Sequence, residues 1–274
     1  MKNSIVILII SVFAFQTTQA QKLKGNKIIS VENREIADFS SILIKDNLEV
    51  FFTKSLENTV SVETDENLQF AVRTEVINGV LEIFLSDEIK RKKELNIHIA
   101  INESIEQIEA QDHVKIKSES ELHIDNLKLI AKDQASIELI LKTKSIALIV
   151  DDKSDIKLAL TNSGDIDVIL EQSASLEMQS TSYKTTAILH DKSSFKSNGN
   201  CKELVLTVDT NANFKGKNFL TDYADVNLSD DANVNINVSN EIIIKSEDDA
   251  KLYLFGNPRI TMEKFSDTST LYKK

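Results

Sequence analysis

Between about residue 110 and residue 255 the chain consists of short segments in which apolar and polar residues alternate, and one type of segment returns every 18 to 20 residues. Its copies are DQASIEL from Asp133, DKSDIKL from Asp152, QSASLEM from Gln172, DKSSFKS from Asp191, TNANFKG from Thr210, DDANVNI from Asp230 and DDAKLYL from Asp248. The apolar anchors are Ile137, Ile156, Leu176, Phe195, Phe214, Val234 and Leu252. The small residues Ala135, Ser154, Ala174, Ser193, Ala212, Ala232 and Ala250 keep the same beat. A second set of alternating segments, anchored near Leu127, Ile146, Ile166, Ile188, Leu204, Val226 and Ile242, falls about half a period away. Alternation with period two, clear in NLKLIA, SIALIV and LVLTV, places every other side chain on one side of a strand.

Two short strands per period, separated by polar corners, predict the coils of an all-β right-handed parallel β-helix, or solenoid, with coils of roughly 19–20 residues. One coil cannot bury its inward residues alone. Stacked about 4.8 Å apart, the coils pair every strand and line up like residues in columns, with the Ala and Ser column at a tight corner. A leucine-rich repeat has a similar period, but its L-x-x-L-x-L-x-x-N frame is missing. Upstream of residue 110 the beat weakens while alternation continues in SSILIKDNLEVFF, TVSVET, FAVRTEV, GVLEIFL and LNIHIAI, which predicts an irregular N-terminal β cap. The charged stretch DEIKRKKEL, residues 87–95, reads as an exposed, solvated hairpin loop.

The start of the chain has the layout of a secretory signal. Lys2 supplies the positive charge, Ile5 to Phe15 form an apolar run too short to span a bilayer, and Ala20 ends the segment two residues after Thr18. The predicted organisation is a signal peptide over residues 1–20 with a mature start at Gln21, an N-terminal β segment over 21–110, regular coils over 111–262 and a tail over 263–274. Such a chain is exported through the Sec pathway to the periplasm, the cell surface or the medium. The only Cys is Cys201, far from the cleavage position, so no lipid anchor is expected there and no membrane insertion of the mature chain.

Six Gly and one Pro in 274 residues leave Asn, Asp and Ser to make the corners, which suits their tolerance of left-handed backbone. A net charge of −11 argues against a nucleic-acid partner or an anionic membrane surface, both of which attract basic patches. One Cys forms no intramolecular disulfide, and Cys201 reads as a small core residue.

At this point the chain resembles a bacterial family, the putative auto-transporter adhesins with a head GIN domain. The resemblance rests on the segment from Arg34 to Leu85, in which Asp38-Phe39 opens a run of strands ending at Asn78, Gly79, Val80 and Leu81. It rests also on GNPRI (residues 256–260), followed by Asp267, Thr268 and Ser269, and on the corner NSGDI at residues 162–166. Ser, Ala and Asn replace the family's corner Gly at most periods. The resemblance implies a right-handed parallel β-helix, export and a role at the cell envelope, and it carries over no catalytic residue.

No catalytic, cofactor-binding or metal-binding residue is assigned, and no cofactor is expected. The corner column Asp133, Asp152, Asp191, Asp230 and Asp248 could stack carboxylates as calcium-binding β-rolls do, but the Gly-rich nonapeptides of those rolls are missing. His98, His113, His123 and His190 lack metal-motif spacing. A β-helical polysaccharide lyase would need Asp clustered with Arg or Lys, and none of Arg34, Arg73, Arg91 and Arg259 falls between residues 110 and 255. The reading is a non-enzymatic exported interaction or structural protein, adhesin-like, with a protein or glycan partner at the envelope. The outward residues Lys157, Glu177, Lys196, Lys215 and Asn235 are its candidate contributors. The alternative is a β-helical carbohydrate-active enzyme, either lyase or glycosidase.

Overall fold

The computed structural model describes residues 22–161 and 163–274, so the expected signal peptide and mature start at Gln21 lie outside the described residues. Parallel strands stack into a β-solenoid of about nine turns, as the repeat predicts. One ladder, face A, runs from Val80–Leu85 through Ser41–Ile44, Gln107–Ala110, Asn126–Ala131, Ser145–Val150 and Ser163–Leu170. It continues through the second halves of four long strands, Ser175–Leu189, Ser194–Val208, Asn213–Leu228 and Asn233–Ser246, to Arg259–Phe265. The other, face B, runs from Leu95–Ile101 through Glu49–Lys54, Lys115–Ser118, Ser136–Lys142 and Asp155–Thr161. It continues through the first halves of the same long strands to Lys251–Phe255 and Thr270–Lys273.

The stack is out of chain order at its N-terminal end. The coil holding Ser41–Ile44 and Glu49–Lys54 lies between the coil of residues 80–101 and that of residues 107–118. After Lys54 the chain leaves the parallel ladders. Thr59–Asp65 runs antiparallel to Leu95–Ile101, Ile29–Arg34 runs antiparallel to Thr59–Asp65, and Val72–Ile77 forms a hairpin with Val80–Leu85. These antiparallel strands and the 3-10 helix Glu66–Ala71 are the irregular N-terminal cap. The hairpin turns at Asn78-Gly79, both with positive φ (52° and 78°), as a two-residue hairpin loop requires.

The stretch 87–95 is not a free hairpin loop. Ile89–Arg91 is a strand parallel to Leu23–Lys24. The fully buried carboxylate of Asp65 holds both segments, accepting the backbone N–H of Lys27 and, at 2.7 Å, that of Lys93. Charge-assisted bonds to fixed backbone donors offset the cost of burying that charge.

The predicted anchor column is in register from coil to coil: Ile137, Ile156, Leu176, Phe195, Phe214, Val234 and Leu252, all buried. Where Phe195 and Phe214 meet edge to face at 5.3 Å, the next inward positions shrink to Ser197 and Gly216. A Cβ on Gly216 would run into the Phe214 ring, so the small residue makes room for the aromatic pair. The second column differs from the sequence reading at two coils. Thr185 and Ala224, not Ile188 and Val226, stand in line with Ile166 and Leu204. Thr185 is fully buried and satisfies its hydroxyl against Ser182 Oγ at 2.9 Å, while Cys201, also buried, lies with its Sγ 3.5 Å from Thr185 Oγ1.

Candidate functional site

The corners carry the most regular chemistry of the molecule. Asp112, Asp133, Asp152, Gln172, Asp191, Thr210, Asp230, Asp248 and Asp267 all have φ between 55° and 65°. All but Asp248 stand second in a turn closed three residues apart, as in Ser154 N–H to Asp151 O at 3.2 Å. A left-handed backbone costs an ordinary L-residue about 1–2 kcal/mol. The Asp side chain offsets it by bonding the coil before: Asp112 accepts the N–H of Asp46 (2.9 Å), Asp133 that of Asp112 (3.1 Å) and Asp152 that of Asp133 (3.2 Å). The pattern resumes where Asp191 accepts from Gln172 (3.1 Å), Asp230 from Thr210 (3.3 Å) and Asp248 from Asp230 (3.3 Å). At Gln172 the column loses its carboxylate. There Asp151 substitutes, accepting from the Asp152 N–H at 2.7 Å and from Gln172 Nε2 at 3.0 Å.

The acidic column is therefore a ladder of carboxylates on backbone donors, and this explains how the fold manages with so few glycines. An open depression of about 600 Å³ lies at its N-terminal end, lined by Asp46, Asp87, Glu88, Asp112 and His113 among others. Its corner carboxylates are engaged in the same way, Asp46 accepting the N–H of Leu85 at 2.7 Å. No group of three or more His, Cys, Asp or Glu side chains among the described residues is arranged to hold a metal ion. The histidines lie apart: His98 stacks on Phe51 with Glu63 at 3.7 Å, His123 faces Glu121 at 3.2 Å, and His190 faces Asp209 at 2.7 Å.

Two outward columns distinguish the faces. On face B, Lys117, Glu138, Lys157, Glu177, Lys196, Lys215 and Asn235 stand in register, so the candidate residues read from sequence form one line. Lys and Glu alternate along it as far as Lys196, after which Lys215 follows as a second consecutive cation. Lys196 meets Glu177 at 2.6 Å, and this hydrogen bond with the ammonium charge holds the Glu177 carboxyl below its ordinary range. On face A, Ile130, Ile149, Ile169 and Ile188 stand in register on the outward-pointing side of the sheet, Ile130 buried and the other three half-buried. The sequence reading missed this column because an outward isoleucine has the same spacing as an inward one.

Stacked coils bearing repeated outward columns define the class, a parallel β-solenoid with two long sheet faces. The sequence matches the family described as putative auto-transporter adhesin, head GIN domain, over residues 38–191 and 159–258, and the chain belongs to that family. Its fold is similar to that of a solved putative adhesin from Parabacteroides distasonis (TM-score 0.71, 14% identity, covering 92% of this chain and 100% of that one). A putative adhesin from Parabacteroides merdae is also similar (TM-score 0.69, 14% identity, 92% and 99% covered). So is a protein from P. distasonis described as a putative lipid binding protein (TM-score 0.64, 13% identity, 93% and 100% covered). No curated protein matches the sequence.

Proposed function

We propose that this protein is a non-enzymatic, exported interaction module of the cell envelope, adhesin-like in action, which presents face A to a protein or glycan partner. The observation that carries the reading is the isoleucine column. The half-buried Ile149, Ile169 and Ile188 extend from the buried Ile130 as a straight apolar line along successive coils. Membership of a family of putative adhesins and the signal-like first twenty residues support export and envelope binding.

The test is protease accessibility of the native protein on intact cells, with a known periplasmic protein followed as the control for envelope integrity. Degradation with the control intact supports adhesion. Protection until the outer membrane is ruptured overturns surface adhesion and directs the search to periplasmic partners. Release of new reducing ends or unsaturated products from a panel of polysaccharides would overturn the non-enzymatic reading.

A further inference from the structure

The strand Val72–Ile77 is an edge. Among the described residues it pairs only with Val80–Leu85, in six regular antiparallel steps without a bulge. The two-residue turn at Asn78-Gly79 makes Ile77 and Val80 a hydrogen-bonded pair, and alternation then makes Glu75 with Glu82 and Arg73 with Phe84 the next such pairs. The Ser86 N–H bonded to Ala71 O at 2.9 Å keeps the same parity one step further. Val72, Thr74 and Val76 therefore direct their backbone N–H and C=O groups away from the hairpin, toward the free edge. The outward side chains next to that edge are Arg73 and Glu75, half exposed and bonded to each other.

We propose that a second copy of this chain adds to this edge by antiparallel pairing about a two-fold axis through Thr74. The sequence Val72-Arg73-Thr74-Glu75-Val76 is its own complement in that register. Thr74 meets Thr74 of the partner, exchanging both backbone hydrogen bonds, and Val72 meets Val76 on the inner side of the sheet. Arg73 stands opposite Glu75 twice on the outer side. The register that matches the charges is also one that the free backbone groups allow, and the two conditions are independent. Charged edge strands commonly block pairing. Here the charges are opposite in sign and two residues apart, so the strand turned around meets attraction. The interface is isologous and closes as a dimer.

Sedimentation of the purified protein across a concentration series, with circular dichroism as the folding control, tests it. The wild type is expected to dimerise reversibly. Thr74→Pro removes an N–H that faces the free edge and no hydrogen bond of the hairpin, so it should be folded and monomeric. Arg73→Glu sets like charges opposite each other twice and should weaken the dimer roughly tenfold or more. The exchange Arg73→Glu with Glu75→Arg should restore it. A wild type that stays monomeric throughout, or a dimer indifferent to both the charge reversal and the exchange, overturns the proposal. If Thr74→Pro fails to fold, the charge pair alone decides.

Discussion

The carboxylate of Asp152 accepts the backbone N–H of Asp133, its counterpart one coil earlier, at 3.2 Å. Both residues are left-handed, with φ of 59° and 65°. The side chain thus performs two tasks that a glycine would separate. It tolerates the corner conformation and ties consecutive coils together.

Substitutions at Asp152 separate those tasks. Asp152→Gly keeps the conformation and loses the tie, and should cost about 1 kcal/mol. Asp152→Ala loses both and should cost about 2–3 kcal/mol. Urea denaturation checks the order, and equal costs would show that only the tie between coils matters.

The small corner column contains two orphans. Ser154 Oγ and Ser193 Oγ are fully buried without a hydrogen-bond partner, while Ala135, Ala174, Ala212, Ala232 and Ala250 hold that position in other coils. An unsatisfied buried hydroxyl costs about 1–3 kcal/mol, so Ser154→Ala and Ser193→Ala should leave stability unchanged or raise it. Ala174→Leu in the same column should destabilise by overpacking. Thermal melts of the three variants read the signs.

Gly216→Ala pushes a methyl group into the Phe214 ring and should destabilise by about 1–3 kcal/mol. Combined with Phe214→Leu the penalty should shrink, because the smaller side chain returns the space. A double-mutant cycle in urea measures the coupling, and additivity would disprove the contact.

Asp65 should make the cap sensitive to acid. Burial raises its pKa, but the N–H groups of Lys93, Lys27 and Glu94 outweigh burial, and the net shift is below the ordinary carboxylate value. A pKa depressed by folding contributes stability above the unfolded value of about 3.9, and that contribution is lost as pH falls through the folded value. Asp65→Asn should lower stability at neutral pH and flatten its decline below about pH 4. Urea midpoints measured from neutral to acid pH test both, and limited proteolysis of residues 22–27 shows whether the segment comes loose.

The sequence by itself determined the solenoid, its period, the anchor column from Ile137 to Leu252 and the small column from Ala135 to Ala250, because both depend on spacing within the chain. An inward strand position must be apolar, a tight corner must be small, and stacking repeats the demand every coil. Only the tertiary structure decided which strand lies beside which. Any parallel strand offers the same backbone groups, so nothing local shows that the coil of residues 41–54 sits between two later ones, or that Ile89–Arg91 pairs with Leu23–Lys24. Nor does spacing distinguish Ile188, outside, from Thr185, inside, because the assignment depends on what faces each residue across the stack. The corner aspartates were legible as a column. Their role was not, since it rests on a backbone N–H some twenty residues earlier in the chain that only stacking brings within reach.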